Sequence, residues 1–159
     1  MNGLVLIGGK SERMGQAKGE LIYHKMEQQY HLYHLLESFC TAVYLSCRAE
    51  QVNNLSPHYN YIVDEYGDIG PLGGILSAFR KEQNEAWLVV ACDMPYVSTE
   101  SLKYLTTHRI ETRIATVFKY NSRIEPLLGI WEVGSFPYLK TAFEKPVLKV
   151  MRKARGYEL

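Results

Sequence analysis

Cysteine is scarce: Cys40, Cys47 and Cys92 are the three present in 159 residues. Their number is odd and no two stand in a C-x-x-C pair, which excludes a disulfide framework and a cysteine zinc site and leaves reduced, mostly buried thiols as the expectation. An excess of one charge is lacking too, since 18 Lys and Arg against 17 Asp and Glu give a net charge of +1. No overall field draws such a chain to nucleic acid or to an anionic membrane, so any basic patch is local and the partner is a small molecule. Long apolar runs are missing. The longest, Leu4 to Ile7 and Leu88 to Cys92, are strand-sized and far below a membrane span, and the first residues do not form a charged stretch followed by an apolar one. A cytoplasmic location is therefore expected. The five histidines show no metal-ligand spacing; His24, His31 and His34 flank a segment rich in Tyr and Leu and are expected to be half-buried or exposed. Chain order alone pairs no Ser-His-Asp or Cys-His set.

What remains is an ordinary globular composition. At 47% hydrophobic the chain carries enough apolar material for one sizeable core, and its length is too short for two ordinary domains. No internal repeat, low-complexity tract or linker is visible, so one domain over residues 1–159 is expected. Short β-rich runs alternate with longer helical patterns. Strands are expected at Asn2–Ile7, Ala42–Cys47, Tyr59–Val63, Ala86–Cys92, Arg113–Lys119 and Pro126–Trp131, several of them apolar throughout as buried parallel strands are. Helices are expected at Gln28–Phe39, Leu72–Glu82, Thr99–Thr107, Ser135–Phe143 and Val147–Lys153. Ser98 is the expected N-cap of the third, with Glu100 in its first turn. The alternation predicts an α/β fold: a three-layer, doubly wound, mostly parallel sheet of Rossmann-like type, with ligands at the carboxyl ends of the strands.

The densest chemical signal follows the first strand: Leu6-Ile7-Gly8-Gly9-Lys10-Ser11-Glu12-Arg13-Met14-Gly15-Gln16-Ala17-Lys18. Gly8, Gly9 and Gly15 let the backbone approach an anion and turn its N–H groups inward, while Arg13 and Lys18 add positive charge. That is the equipment for a triphosphate. A P-loop is excluded because its first glycine would fall at Leu4, inside the strand, and Gly8-Lys10-Arg13 does not make a dinucleotide G-x-G-x-x-G. Lys10 and Glu12 are spacers in this pattern, and Ser11 either bonds a phosphate or fixes the turn. Lys18 would hold the α- and β-phosphates as they separate, and Arg13 the leaving pyrophosphate.

Further along, Asp93 closes the strand Trp87-Leu88-Val89-Val90-Ala91-Cys92 and is followed by Met94-Pro95. A carboxylate there is a turn residue or a magnesium ligand, and magnesium beside a triphosphate needs only one or two carboxylates. Asp64 ends another strand ahead of Glu65-Tyr66-Gly67-Asp68, where Glu65 and Asp68 are expected to be plain loop charges. Gly70-Pro71-Leu72-Gly73-Gly74 is either a strand-to-helix connector or a turn whose glycines leave room for a base or an acceptor. Arg123-Ile124-Glu125-Pro126-Leu127 reads as part of a hairpin, Arg123 being either an exposed charge or a contact for an acceptor phosphate. Charges from Lys145 to Arg155 form the solvated face of the last helix.

The glycine loop resembles the signature L-x-G-G-x-S-x-R-M-G-x-x-K of the nucleotidyltransferases related to the molybdenum cofactor guanylyltransferase, with Ile7 where alanine is more usual. The resemblance continues in order through Asp64, Gly70-Pro71-Leu72-Gly73-Gly74, Cys92-Asp93-Met94-Pro95 and Glu125-Pro126-Leu127-Leu128-Gly129, covering Met1 to Leu148. It implies a catalytic set of Arg13, Lys18 and Asp93, a nucleotide site of Leu6, Ile7, Gly8, Gly9, Ser11, Lys18, Asp64, Gly73 and Asp93, and Mg²⁺ on Asp93. It implies GTP as donor and molybdopterin as acceptor, in a monomer or small homo-oligomer that could contact other molybdenum cofactor proteins. Relatives that use CTP look like L-A-A-G at this turn, so Gly8 and Gly9 favour a purine. Cytidylyl transfer to molybdopterin or to a sugar or alcohol phosphate, and a nucleotide-binding module without turnover, stay open as alternatives. Relatives carry an Asn after the second strand where this chain has Ser46-Cys47-Arg48, and an N-x-N-T-P-x-D segment beyond the last helix where this chain has Gly156-Tyr157-Glu158-Leu159. Weaker use of the acceptor than of the nucleotide is the expectation.

Overall fold

The computed structural model describes residues 1–7, 27–67 and 69–144. Gly8, Gly9, Ser11, Arg13, Lys18, Asp68 and the expected helix Val147–Lys153 lie outside the described residues. Strands β1 (Asn2–Leu6), β2 (Val43–Cys47), β3 (Tyr61–Val63), β4 (Trp87–Ala91), β5 (Ala115–Tyr120) and β6 (Arg123–Trp131) form one sheet in the order β3-β2-β1-β4-β6-β5. The first four run parallel, and β6 runs antiparallel to both β4 and β5. The mostly parallel, doubly wound sheet expected from the alternation is the one observed.

Helices α1 (Gln28–Glu37), α2 (Pro71–Lys81), α3 (Thr99–Thr107) and α4 (Phe136–Glu144) complete the layers. Side-chain alternation along the strands decides which helix covers which face. From β1 and β4, Val5, Leu88 and Val90 join Leu32 and Leu36 of α1 and Leu102 and Leu105 of α3 in one core. Leu4, Leu6, Trp87 and Val89 of the same strands join Ile75, Leu76 and Phe79 of α2 and Leu139 of α4 in the other. Both faces are covered, which is why β1 from Leu4 onward and the whole of β4 read as apolar without a break. Ser98 caps α3 as expected, its hydroxyl accepting from the Ser101 amide at 3.3 Å.

The departures are local and have identifiable causes. Tyr59, expected in β3, instead stacks on Tyr30 with ring centroids 4.3 Å apart and lies 3.0 Å from Nε2 of His34, so the strand begins at Tyr61. A 3₁₀ turn over Ala49–Asn54 follows β2 and was not expected; another, Val133–Ser135, takes the place of the first residue of the expected last described helix. The β5–β6 hairpin closes through Asn121 and Ser122, and Asn121 takes the positive φ of 54° that such turns need, so β6 begins at Arg123 rather than Pro126. No helix among the described residues is long and apolar enough to cross a membrane.

Candidate active site

Because β1 to β4 are parallel, their carboxyl ends share one edge, and chain direction around the sheet reverses between β1 and β4. The crevice of an open α/β sheet forms there. A cleft of about 550 Å³, its open mouth included, follows that edge. It is lined by Leu6 at the end of β1, Ser46, Cys47 and Arg48 at the end of β2, Asp64 after β3, and Cys92 and Asp93 after β4. β1 ends within this row at Leu6, and the segment bearing Arg13 and Lys18, outside the described residues, follows it in the sequence.

Asp64 and Asp93 stand three strand positions apart, on the order of 14 Å at the backbone. Asp64 is half-buried and tightly engaged. Its amide donates to the Cys47 carbonyl at 2.8 Å, and its Oδ1 accepts from the Tyr66 amide at 2.9 Å and from the Ser77 hydroxyl at 3.4 Å. The buried Ser77 Oγ also accepts from the Glu65 amide at 3.0 Å and donates to the Gly73 carbonyl at 2.9 Å. Glu65 itself pairs with Arg80 at 2.7 Å on the surface, as a loop charge does.

The glycine pair has a packing reason. A side chain at Gly73 would run into the Asp64 carboxylate, 2.7 Å from Oδ1, and one at Gly74 would meet Ser46 and come within 2.9 Å of the Leu6 side chain. The glycines let α2 press against the ends of β1, β2 and β3, and Gly73 does not line the cleft while Gly70, Pro71 and Gly74 do. Gly70 supplies the left-handed turn at φ 70° that admits the chain to α2.

Asp93 is exposed and is aimed by its backbone neighbours. The Cys92 amide donates to Leu6 O at 3.0 Å, tying this end of β4 to β1, and the Met94 amide turns back to Ala91 O at 3.3 Å. An exposed carboxylate of this kind is a suitable oxygen ligand for magnesium, which needs only one or two carboxylates when phosphates and water complete its shell.

Leu127 reaches the cleft from β6 through an irregularity. β5 pairs Val117 with Gly129 but Phe118 with Glu125, so Pro126, Leu127 and Leu128 bulge out of the β5 ladder, where the missing proline N–H costs nothing. Gly129 is demanded by the same crossing, since a side chain there would come within 2.9 Å of Thr116 O. The two thiols of the cleft are buried, and burial followed by the nearby Glu50 charge pushes Cys47 up to about 11. Cys47 stays protonated at neutral pH and is no nucleophile. Outside the cleft, burial lifts Cys40 to about 12.

The family model of the MobA-like NTP transferase domain matches residues 3–156. This chain belongs to that family. A probable molybdenum cofactor guanylyltransferase of Flavobacterium johnsoniae is 33% identical over 147 residues, 92% of this chain and 76% of the relative. Another, of Carboxydothermus hydrogenoformans, is 34% identical over 137 residues, 86% of this chain and 68% of the relative. Among solved structures, the molybdopterin-guanine dinucleotide biosynthesis protein A of Archaeoglobus fulgidus superposes with a TM-score of 0.79 at 26% identity, covering 98% of this chain and 80% of that one. As a MobA-like NTP transferase the chain is a nucleotidyltransferase related to the enzymes of molybdenum cofactor biosynthesis.

Of the residues singled out in the sequence, Leu6, Asp64 and Asp93 meet in the cleft. Ile7 does not line it: its amide bonds Ser46 O at 3.0 Å and its side chain lies in the α1–α3 core. Arg48, half-buried, brings a cation to the β2 end beside Asp64, and Pro71 and Cys92 line the cleft too. Ser46 to Arg48 stand where relatives carry an Asn after the second strand, and the structure brings all three to the cleft.

Proposed function

We propose that this MobA-like NTP transferase moves GMP from GTP to the terminal phosphate of molybdopterin with Mg²⁺, releasing pyrophosphate. The observation that carries this is the row of strand ends, where Asp64, Arg48, the start of the glycine loop and Asp93 follow one another along one cleft. A row of anchors of this length suits an extended ligand with a base at one end and phosphates at the other.

No protein base is required. The acceptor phosphate is largely ionised at neutral pH, its second pKa lying near ~6, so its oxygen attacks the α-phosphorus once aligned, and the bond from that phosphorus to the bridging oxygen of pyrophosphate breaks. Asp93 would hold Mg²⁺, which when bound would supply charge neutralisation to the triphosphate. Lys18 and Arg13 carry the remaining charge that builds on the separating phosphates, and the glycine-loop amides orient them. Leu127 lies at the rim where the acceptor enters.

Pyrophosphate release measured with GTP and with CTP, each with and without molybdopterin, tests the proposal. GTP with molybdopterin is expected to give the fastest release; equal or faster release with CTP overturns the guanylyl assignment. Gly9→Ala sharpens the result, because one methyl against a purine is worth roughly 1–3 kcal/mol and little against a pyrimidine, so the GTP preference should fall. Equal weakening of both nucleotides would assign Gly9 to loop conformation instead.

A further inference from the structure

Gln28, the first residue of α1, is wholly buried, yet its Oε1 accepts no hydrogen bond. Its neighbour Gln29, also buried, settles its amide locally on Glu27 at 2.7 Å. Gln28 reaches across the molecule: Nε2 donates to the Met94 carbonyl at 3.2 Å, 66 residues away. That carbonyl belongs to the residue after Asp93 and also accepts from the Val97 amide at 3.4 Å. An apolar side chain would fill this buried position without an orphaned acceptor, and buried polar groups left unsatisfied reduce stability. The glutamine is thus poor for packing and well placed for the Asp93 turn.

We propose that Gln28 is a positioning residue for Asp93. On its two sides the turn is tied to the body of the protein by Cys92, which bonds β1 through the backbone, and by Met94, which is bonded to α1 through Gln28. Without the bond to Gln28, the Met94 carbonyl keeps its bond to the Val97 amide but loses its tie to α1, and the Asp93 carboxylate beside it loses part of its fixed bearing on the cleft. Since α1 begins directly after the segment that bears Arg13 and Lys18, the same bond links the Asp93 turn to the element that ends the phosphate-loop segment. This rests on the magnesium-dependent transfer proposed above.

The test compares wild type with Gln28→Met and Gln28→Leu in three measurements: thermal melting, GTP affinity by calorimetry in EDTA and in Mg²⁺, and steady-state pyrophosphate release. Both variants should melt at or above the wild-type temperature, and GTP affinity in EDTA should stay within about twofold, while the gain in affinity that Mg²⁺ brings and kcat should each fall about tenfold, as loss of a supporting bond behind a ligand does. KM for GTP in the metal-free comparison has no counterpart, so the split is read between the two calorimetric titrations. An unchanged Mg²⁺ gain in variants, with a wild type that responds to Mg²⁺, overturns the inference alone. Lower melting temperatures in both variants also overturn it, because Gln28 would then serve the fold. A wild-type chain whose GTP affinity ignores Mg²⁺ and which releases no pyrophosphate sinks the functional reading, and this inference with it.

Discussion

The two ends of β4 treat a carboxylate in opposite ways. At the carboxyl end, Asp93 is exposed on the cleft and held in place through its neighbours' backbone. At the amino end, Trp87 pairs with Trp131 of β6, and the next residue, Glu132, is buried in a bidentate pair with Arg109, at 2.7 and 2.8 Å. That pair fastens the end of α3 to the sheet, and the guanidinium, held by the Glu132 hydrogen bonds, is pushed further up in pKa. A carboxylate whose oxygens are both taken by one cation belongs to the fold; the one exposed on the cleft at a strand end stands where the proposed magnesium would bind. Asp64 stands between these cases, with Oδ1 taken up by the turn and its place in the cleft kept by the absent side chain of Gly73.

The largest effect should come at the exposed end. Asp93→Asn is expected to abolish magnesium-dependent pyrophosphate release while leaving the melting temperature unchanged, since Asn makes the same turn bonds. Wild-type release from this variant would erase the distinction between the two ends of β4. Glu132→Ala should do the reverse, costing about 3 kcal/mol of stability by taking the bidentate partner from Arg109, at the low end for a buried pair because the guanidinium is partly solvated and keeps Glu111 at 3.2 Å. Chemical denaturation measures the loss, and kcat of the folded fraction should match wild type; a fall in kcat would mean that this end of the sheet communicates with the cleft. Asp64→Asn should show both effects in small measure, about 1 kcal/mol of stability and about a tenfold loss of GTP affinity, because Asn Oδ1 still accepts from Tyr66 while the charge is gone. Titration calorimetry beside a denaturant melt reads the two together, and a pure stability loss would reduce Asp64 to a turn residue.

Much of this was legible before any coordinates. The apolar runs Leu4 to Ile7 and Leu88 to Cys92 announced strands buried on both faces, Ser98 announced the start of α3, and Asp64 and Asp93 stood out as carboxylates closing strands. Local chemistry suffices for such features, because periodicity, capping and strand ends depend on residues within one turn or one strand. The glycines at 73, 74 and 129 were visible as glycines, but their causes were not, since Asp64, Ser46 and Thr116 come to them from other elements.

The chain by itself therefore determined the layered α/β class, the phosphate-loop signature and the carboxylates at strand ends, each being a property of contiguous residues. Only the tertiary structure decided that Arg48 joins Asp64 along the cleft, that Leu127 is swung into it by a bulge, and that Glu132 is closed off by Arg109. It alone brought the amide of Gln28 to the carbonyl behind Asp93. Those pairings span distant positions in the chain, and distance in sequence carries no information about them until the sheet order β3-β2-β1-β4-β6-β5 brings the strand ends together.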